Sequence, residues 1–225
     1  MSLLCLLLSA LLASQLRLVQ AAPERIIARP IPFGPQRQAL TLDYIRQHYD
    51  PQATDISITP QMIVLHWSAT ASLAATLATF TPARLPPGRP ALHRAGVLNV
   101  SAHFVVDRDG TLYQLMPTTW MARHIIGLNR LALGIENVGG PQAPLTAAQV
   151  EANAWLIRHL VTRHPTIKYL IGHHEYGRLR HTRLWQERDA SYFSGKPDPG
   201  EAFMRAVRAA VHAMGLQLSG PDGAQ

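Results

Sequence analysis

Short apolar runs that alternate with helical patterns limit the folds open to this chain. The runs lie at 62–65, 103–106, 131–136 and 169–172, and each has the length and side-chain type of a buried strand. Helical periodicity is clearest at 146–163, between the third and the fourth run. Interleaved strands and helices predict an α/β fold with a mixed central β-sheet flanked by helices.

Local signals place the helix ends. Thr146 and Gln149 match a capping box at the start of the long helix, and Pro165 stops that helix. Further helices are predicted over 40–49, 72–80 and 201–214. Gly215 has the position and type of a helix C-terminal stop.

Turn signals divide the rest of the chain. Asp109-Gly110 between two β-prone runs predicts a hairpin. Residues 81–97, called the proline-rich loop below, contain four prolines and two glycines, a density that only a loop tolerates. Loops of this length often border a functional site, so this one is a candidate rim.

Composition excludes several classes of protein. No stretch of about 20 apolar residues occurs after the N-terminal segment, which excludes a polytopic membrane protein. The single cysteine, Cys5, excludes a disulfide framework and a multi-cysteine metal site. The net charge of +7 suits a polyanionic partner, but no basic run with interleaved aromatic residues favours nucleic acid.

The N-terminal segment resembles a secretory signal peptide. Residues 3–13 form a short apolar core, and residues 19–22 have the small side chains that suit cleavage after Ala21. No lysine or arginine precedes the apolar core, so an uncleaved anchor stays open as the alternative. We therefore predict export to the periplasm or the medium, with no integral membrane span once the signal is removed.

Metal-ligand side chains follow the strand-like runs. His66 and His173 each end a run, and Asp198 lies in a Lys-Pro-Asp-Pro-Gly turn. Two imidazoles and one carboxylate leave a fourth position open, which is the arrangement of a catalytic zinc. Neighbouring strand residues point to opposite faces, so only one of His173 and His174 can face the metal. The Gly-His order favours His173, and His174 is the alternative. His103 is expected to brace the sheet from inside.

Five segments, in order, resemble the zinc-dependent N-acetylmuramoyl-L-alanine amidases that share a fold with peptidoglycan recognition proteins. The segments are Ile63-Val64-Leu65-His66, Ser101-Ala102-His103-Phe104 with Asp109-Gly110, Leu133-Gly134-Ile135-Glu136-Asn137, Ile171-Gly172-His173 and Lys196-Pro197-Asp198-Pro199-Gly200. They run from about residue 61 to 210, most of the chain after the predicted signal. The resemblance implies a peptidoglycan recognition protein-like amidase fold.

The resemblance also implies a role for each matching residue. His66, His173 and Asp198 become the ligands of one Zn²⁺ ion. Glu136 takes the position of the acid/base carboxylate, and Lys196 that of a lysine that stabilises the reacting centre.

These roles together imply hydrolysis of the amide bond between N-acetylmuramic acid and L-alanine of peptidoglycan stem peptides. Zinc polarises the carbonyl and lowers the pKa of bound water from 15.7 to about 7, so that this water becomes the nucleophile. A carboxylate can move the proton from that water to the leaving amine, and a cation can stabilise the oxyanion. The expected partner is peptidoglycan or its muropeptides, not nucleic acid, and the expected state is a monomer.

Three further residues are candidates for substrate binding. His124 lies where the family often has a histidine that faces the substrate, although the usual Trp-His-Ala-Gly is absent. Residues 174–195, called the insertion segment below, connect His173 to Lys196. In compact members of the family this connection is shorter. This segment is a second candidate rim of the substrate groove, where Arg180 and Arg183 could contact peptide carboxylates. A solvated loop is the alternative for this segment.

Two other functions stay open for a chain of this pattern. The first is a non-catalytic module that binds peptidoglycan. Recognition proteins of this fold that have this function often lose a zinc ligand, whereas all three ligands are present here. A metallopeptidase that cuts within the stem peptide lacks the support of a His-Glu-x-x-His helix. The predicted organisation is a signal peptide at 1–21, a lead-in with a short helix at 22–60, a zinc amidase catalytic domain at 61–215 and a loose tail at 216–225.

Overall fold

One six-stranded sheet organises the part of the chain that this computed structural model describes, residues 26–216. The predicted signal peptide and nearly all of the predicted tail lie outside the described residues. The strands are β1 (Ile27–Ala28), β2 (Met62–Trp67), β3 (Phe104–Val106), β4 (Leu112–Gln114), β5 (Ala132–Asn137) and β6 (Tyr169–Gly172). Their order is β1-β4-β3-β5-β2-β6, with an antiparallel β3–β4 pair among parallel pairs, so the predicted mixed sheet is confirmed.

Helices precede, connect and follow these strands. They are α1 (Pro35–His48), α2 (Leu73–Phe80), α3 (Pro90–Arg94), α4 (Ala147–Arg163) and α5 (Glu201–Val211), with 3-10 helices at His173–Leu179 and His212–Met214. Within residues 26–216, no helix has the length and apolar character needed to cross a membrane.

Two helices differ from the sequence prediction for the same reason. α1 begins at Pro35, before the predicted residue 40, and α3 forms inside the proline-rich loop from Pro90. A proline in the first helical turn costs no hydrogen bond, because a backbone N–H at that position would have no partner within the helix. In this chain, proline-rich stretches therefore contain the starts of helices as well as loops.

The predicted local signals at α4 and at the hairpin are confirmed. The N–H of Gln149 donates to Thr146 Oγ1 at 3.2 Å, and the N–H of Thr146 donates to Gln149 Oε1 at 2.9 Å. Gly110 adopts a φ of +89° between β3 and β4, a conformation that glycine takes without steric cost.

Parallel pairing at the centre of the sheet brings separate strand ends together. β2 lies between β5 and β6 and is parallel to both. His66 on β2 is directly opposite Glu136 on β5, and Leu65 is opposite Gly172, the last residue of β6. His66, Glu136 and His173 therefore share the edge where the parallel strands end, the usual place for a ligand site in such sheets.

Alternate residues of β2 are buried in two different apolar cores. Ile63 and Leu65 pack in a larger core that includes residues of α4 and α5. Met62 and Val64 pack in a second core with residues of the 3-10 helix His173–Leu179. Burial on both faces explains why β2 has a continuous apolar sequence rather than an alternating one.

The helix before the predicted catalytic domain is part of its core. Tyr44 and Ile45 of α1 are 3% and 0% exposed and belong to the larger core. His48, at the end of α1, pairs through Nδ1 with Glu187 at 2.8 Å and through Nε2 with the carbonyl of Ala95 at 2.9 Å. The described residues before position 61 therefore pack together with those after it.

Candidate metal centre

A cavity of about 320 Å³ opens where β2, β5 and β6 end. It is lined by all five residues to which the resemblance assigns metal binding or catalysis, namely His66, Glu136, His173, Lys196 and Asp198. The first three lie at neighbouring strand ends, and the other two lie in the loop before α5. The fold thus gathers residues that are far apart in the sequence.

His66, His173 and Asp198 form a buried cluster in this cavity. The Nδ1 atoms of the two histidines are 3.0 Å apart. Asp198 Oδ2 lies 3.1 Å from His66 Nδ1 and 3.0 Å from His173 Nδ1. The three atoms therefore converge on one point. Each of the three side chains is at most 9% exposed.

The donor atoms and their spacing fit a tetrahedral zinc ion. Ligand atoms at about 2.0–2.1 Å from zinc are about 3.4 Å apart in tetrahedral geometry, close to the spacing in this cluster. Nitrogen and carboxylate oxygen are ordinary zinc ligands, and three of them leave the fourth position open. The cluster therefore suits one catalytic zinc ion rather than a closed structural site.

Charge interactions keep two of the three side chains in metal-binding forms. Burial raises the pKa of Asp198, but hydrogen bonds with His173 and His66 hold it well below its usual range. Burial and the nearby His66 together lower the pKa of His173 to about 4, although the hydrogen bond with Asp198 opposes this. A carboxylate and a neutral imidazole at neutral pH bind a metal without first losing a proton.

The structure places His173, not His174, in the cluster. The His174 ring turns to the backbone of the ligand loop, with Nδ1 at 3.1 Å from the Asp198 carbonyl. The His174 N–H donates to the same carbonyl at 2.8 Å. A Cβ on Gly172 would lie 2.7 Å from the His174 ring, which explains the glycine before the two histidines.

Glu136 lines the same cavity. Among the described residues, its Oε2 has no hydrogen-bond partner. Burial raises the pKa of Glu136 to about 7, although the nearby His66 opposes this rise. A carboxyl group with a pKa near neutrality can both accept and donate a proton there.

Lys196 brings a positive charge to the same cavity. It precedes Asp198 by two residues and lines the cavity wall. In spite of burial, the hydrogen bond to Asp198 leaves the pKa of His66 raised, and the Lys196 charge opposes this rise. The same charge adds to the lowering of the His173 pKa by burial, so Lys196 acts electrostatically at the cluster.

Buried amides hold the backbone of His66. Asn137 donates to the His66 carbonyl at 3.0 Å, and Asn153 of α4 donates to Asn137 Oδ1 at 2.6 Å. Gln149, one turn earlier in α4, donates to the Val106 and Val138 carbonyls. Sequence reasoning identified Gln149 only as part of the capping box and missed Asn153, whose only signal is its polarity beside the apolar stripe of the helix.

His124 reaches the cavity, but its ring nitrogens face the protein. Its Nδ1 lies 3.0 Å from Nε2 of His66, and its Nε2 lies 3.3 Å from the carbonyl oxygen of Ala132. Both ring nitrogens therefore have partners within the protein, and the contact of His124 with the substrate stays a prediction.

The structure does not bring Arg180 and Arg183 to the cavity. The Arg180 guanidinium lies 4.4 Å from the Phe193 ring centroid and donates to the Ala190 carbonyl at 3.4 Å. Arg183 is exposed to solvent. Phe193 in turn stacks on Tyr176 at 5.1 Å, so aromatic packing folds the insertion segment onto itself.

Other residues of the two predicted rims do line the cavity. Arg89 and Leu92 come from the proline-rich loop, and Tyr192 comes from the insertion segment. Arg123, only 3% exposed, donates to the Leu92 carbonyl at 2.8 Å and to the Tyr192 hydroxyl at 3.2 Å. Arg123 thereby joins both rims, a role that the sequence did not suggest because arginines are seldom buried.

The mixed sheet with a cavity at the ends of its parallel strands is a peptidoglycan recognition protein-like amidase fold. The chain is similar to a selenomethionine derivative of AmpD, with a TM-score of 0.53 and 24% identity over 84% of this chain and 95% of that one. It is also similar to the endolysin amidase LysCS from Clostridium intestinale URNW, with a TM-score of 0.51 and 20% identity over 85% and 97% of the two chains. At these identities the likeness describes the fold.

Residues 57–201 match the N-acetylmuramoyl-L-alanine amidase (Amidase_2) family, and the chain belongs to this family. It is similar in sequence to an endolysin of Klebsiella phage KP32, with 33% identity over 86 residues. That alignment covers 36% of this chain and 56% of the endolysin, so the chain spans about half the length of this relative.

Proposed function

We propose that this chain is a zinc-dependent amidase that hydrolyses the amide bond between N-acetylmuramic acid and L-alanine of peptidoglycan stem peptides. The observation that carries the proposal is the convergence of His66 Nδ1, His173 Nδ1 and Asp198 Oδ2 within 3.1 Å of one another. The cavity that holds this cluster is also lined by Glu136 and Lys196. Family membership supports the reaction, and the donor set supports the metal.

An amide is a weak electrophile with a poor leaving group, so its hydrolysis needs activation of both partners. His66, His173 and Asp198 would hold one zinc ion, which when bound polarises a carbonyl group and lowers the pKa of water. Glu136 would transfer the proton, and Lys196 would stabilise the developing negative charge.

Glu136 is the proposed proton carrier. It would accept a proton from the attacking water while the new C–O bond forms at the lactyl carbonyl. It would then donate that proton to the alanine nitrogen while the C–N bond breaks, which releases the stem peptide as a free amine. Its pKa of about 7 suits both steps at neutral pH.

Lys196 is the proposed stabiliser of the negative charge on the carbonyl oxygen. Its ammonium group acts on the cluster from the same cavity wall. A fixed positive charge is most effective in such a site because water is largely excluded.

Mass spectrometry of defined muropeptides tests the proposal. The purified protein is incubated with them as prepared, with a chelator, and with zinc restored. We expect release of a stem peptide that begins at L-alanine, its loss with the chelator, and its return with zinc. Cleavage within the stem peptide would instead indicate a metallopeptidase, and intact muropeptides with a folded, zinc-loaded protein would indicate a binding module.

A matched pair of variants ties the reaction to the cluster. Asp198→Ala is expected to lose both zinc and cleavage, because it removes one of three ligands. Asp43→Ala, at an exposed position of α1, is the control and should retain both. Full cleavage by Asp198→Ala would refute the ligand assignment.

We also propose that the chain is exported. The support is the apolar core at 3–13 followed by small residues at 19–22. Cell fractionation and N-terminal sequencing test this proposal, with a mature chain beginning at Ala22 as the expected result. An intact N-terminus on cytoplasmic protein would contradict it.

A further inference from the structure

The position of one proton decides whether His66 can bind a metal. A neutral imidazole carries a single N–H, so Nδ1 has a free lone pair only when the proton is on Nε2. Nδ1 is the atom of His66 that faces His173 and Asp198. His66 is 2% exposed, so an Nε2–H group on it needs an acceptor inside the protein.

His124 provides that acceptor. Its Nδ1 lies 3.0 Å from Nε2 of His66, and its own Nε2 lies 3.3 Å from the Ala132 carbonyl oxygen. A carbonyl oxygen can only accept, so it requires the His124 proton to be on Nε2. His124 Nδ1 is then a free acceptor, and the His66 proton is directed to Nε2.

The backbone of β5 holds the His124 ring in this position. A Cβ on Gly134 would lie 2.8 Å from Cγ and Nδ1 of His124, so the ring lies directly against the glycine. Ala132, whose carbonyl contacts the other end of the ring, belongs to the same strand. The strand therefore provides both the surface and the terminal acceptor for His124.

We propose that His124 is a positioning residue that fixes the tautomer of His66, through hydrogen bonds from His66 Nε2–H to His124 Nδ1 and from His124 Nε2–H to the Ala132 carbonyl. The inference rests on the proposed function only in taking zinc as the ion that His66 binds. It assigns to His124 an effect on metal affinity, where the sequence predicted a contact with the substrate.

Two conservative substitutions distinguish the roles of the two ring nitrogens of His124. In His124→Asn, the amide oxygen can take the place of Nδ1 and still accept from His66. In His124→Gln, the longer amide reaches the place of Nε2 and leaves His66 Nε2–H without its acceptor. Zinc affinity of the full chain is measured by competition with a chelator at fixed pH, and circular dichroism melting of the zinc-free proteins checks folding.

We expect His124→Gln to lower zinc affinity by about 10- to 100-fold, and His124→Asn to retain most of it, since loss of an outer hydrogen bond to a ligand histidine has effects of that size. Equal losses in two folded variants would overturn the inference, because the acceptor would then not be what matters. Unchanged zinc affinity with a raised KM would also overturn it, in favour of a substrate contact.

A measurement on the wild-type chain is independent of these variants. Long-range ¹H–¹⁵N spectra of the zinc-loaded protein report which ring nitrogen of each histidine carries the proton. Zinc on His66 Nδ1 already requires the His66 proton on Nε2, so His124 decides the outcome. We expect the His124 proton on Nε2, and a proton on Nδ1 of His124 would overturn the inference. A wild-type chain that binds one zinc ion but cleaves no muropeptide would refute the proposed function alone.

Discussion

At the scale of single residues, Glu136 allows proton transfer to be tested separately from metal binding. Its Oε2 has no hydrogen-bond partner among residues 26–216. Glu136→Gln keeps the shape of the side chain but removes its ability to carry a proton. We expect kcat to fall by about 10²- to 10⁴-fold, the usual contribution of a general acid/base, with zinc content unchanged. Muropeptide kinetics and metal analysis check this, with the exposed Glu151→Gln of α4 as the control.

His103 shows how a histidine near the site can serve the fold alone. Its Nδ1 accepts from the Gly134 N–H at 3.0 Å, so its Nε2 carries the proton and lies 2.9 Å from the Trp120 carbonyl. The ring is 0% exposed, which confirms that it braces the sheet from inside. Burial lowers the pKa of His103 to about 4, since a second proton would have to face the Gly134 donor.

This histidine is expected to make the zinc-free fold sensitive to acid. With an unfolded-state pKa of about 6.5, the unfolded chain binds more protons than the folded one between about pH 4 and 6.5. The contribution to stability is therefore complete above about pH 6.5 and decreases towards pH 4, by about 3 kcal/mol at 1.36 kcal/mol per pH unit.

Urea unfolding with a chelator at about pH 7.5 and about pH 4 measures this effect. His103→Asn is the matched variant, because its amide oxygen can still accept from Gly134 but does not titrate. We expect the variant to lose less stability on acidification than the wild type. The same loss in both proteins would contradict the assignment to His103.

At the scale of elements, α4 carries much of the support for the site. Its capping box fixes where the helix starts, and Thr146 Oγ1 also donates to the Arg108 carbonyl at 2.8 Å. Asn153, further along the same helix, is linked through Asn137 to the backbone of His66. The start of α4 thus helps to position Asn153, which is linked through Asn137 to the backbone of one cluster residue.

We expect Thr146→Ala to lower the free energy of unfolding by about 1 kcal/mol, the usual value of an N-cap. Thr162→Ala is the control on the same helix, because Thr162 is exposed and, within residues 26–216, its hydroxyl bonds only the Arg158 carbonyl one turn earlier. Chemical denaturation of both variants provides the comparison. Equal effects would mean that the capping box does not stabilise α4.

At the scale of the whole molecule, α1 connects the walls of the cavity. His48 binds both Glu187 of the insertion segment and the Ala95 carbonyl of the proline-rich loop. Tyr44 of the same helix lines the cavity, and the guanidinium carbon of Arg123 lies 4.7 Å from the centre of its ring. The segment before residue 61 therefore contributes to the site as well as to the core.

Removal of this segment is expected to prevent folding. Truncating one buried side chain such as Ile45 costs about 2–5 kcal/mol, against a total stability of about 5–15 kcal/mol for most domains. A chain that begins at residue 61 loses the whole buried face of α1, whereas one that begins at residue 26 keeps it. Thermal melting should show a cooperative transition only for the longer chain, and a cooperative transition in the shorter one would contradict this prediction.

Much of the architecture follows from local patterns in the chain. The apolar runs that became β2, β5 and β6, the Asp109-Gly110 hairpin and the Thr146 capping box depend on side-chain period and on hydrogen bonds between near neighbours. Such signals act over a few residues, so the sequence alone contains them. The candidate ligands could be named for a related reason, because each follows a strand-like run or lies in a short motif.

Long-range packing decided the rest. The second ring nitrogen of His66 contacts His124, a loop residue 58 positions away that lies against a glycine of another strand. Arg180 lies outside the cavity and against Phe193, which stacks on Tyr176 within the insertion segment. Contacts of this kind join residues with no local relation in the chain, and their outcome is set by burial and by the available hydrogen-bond partners.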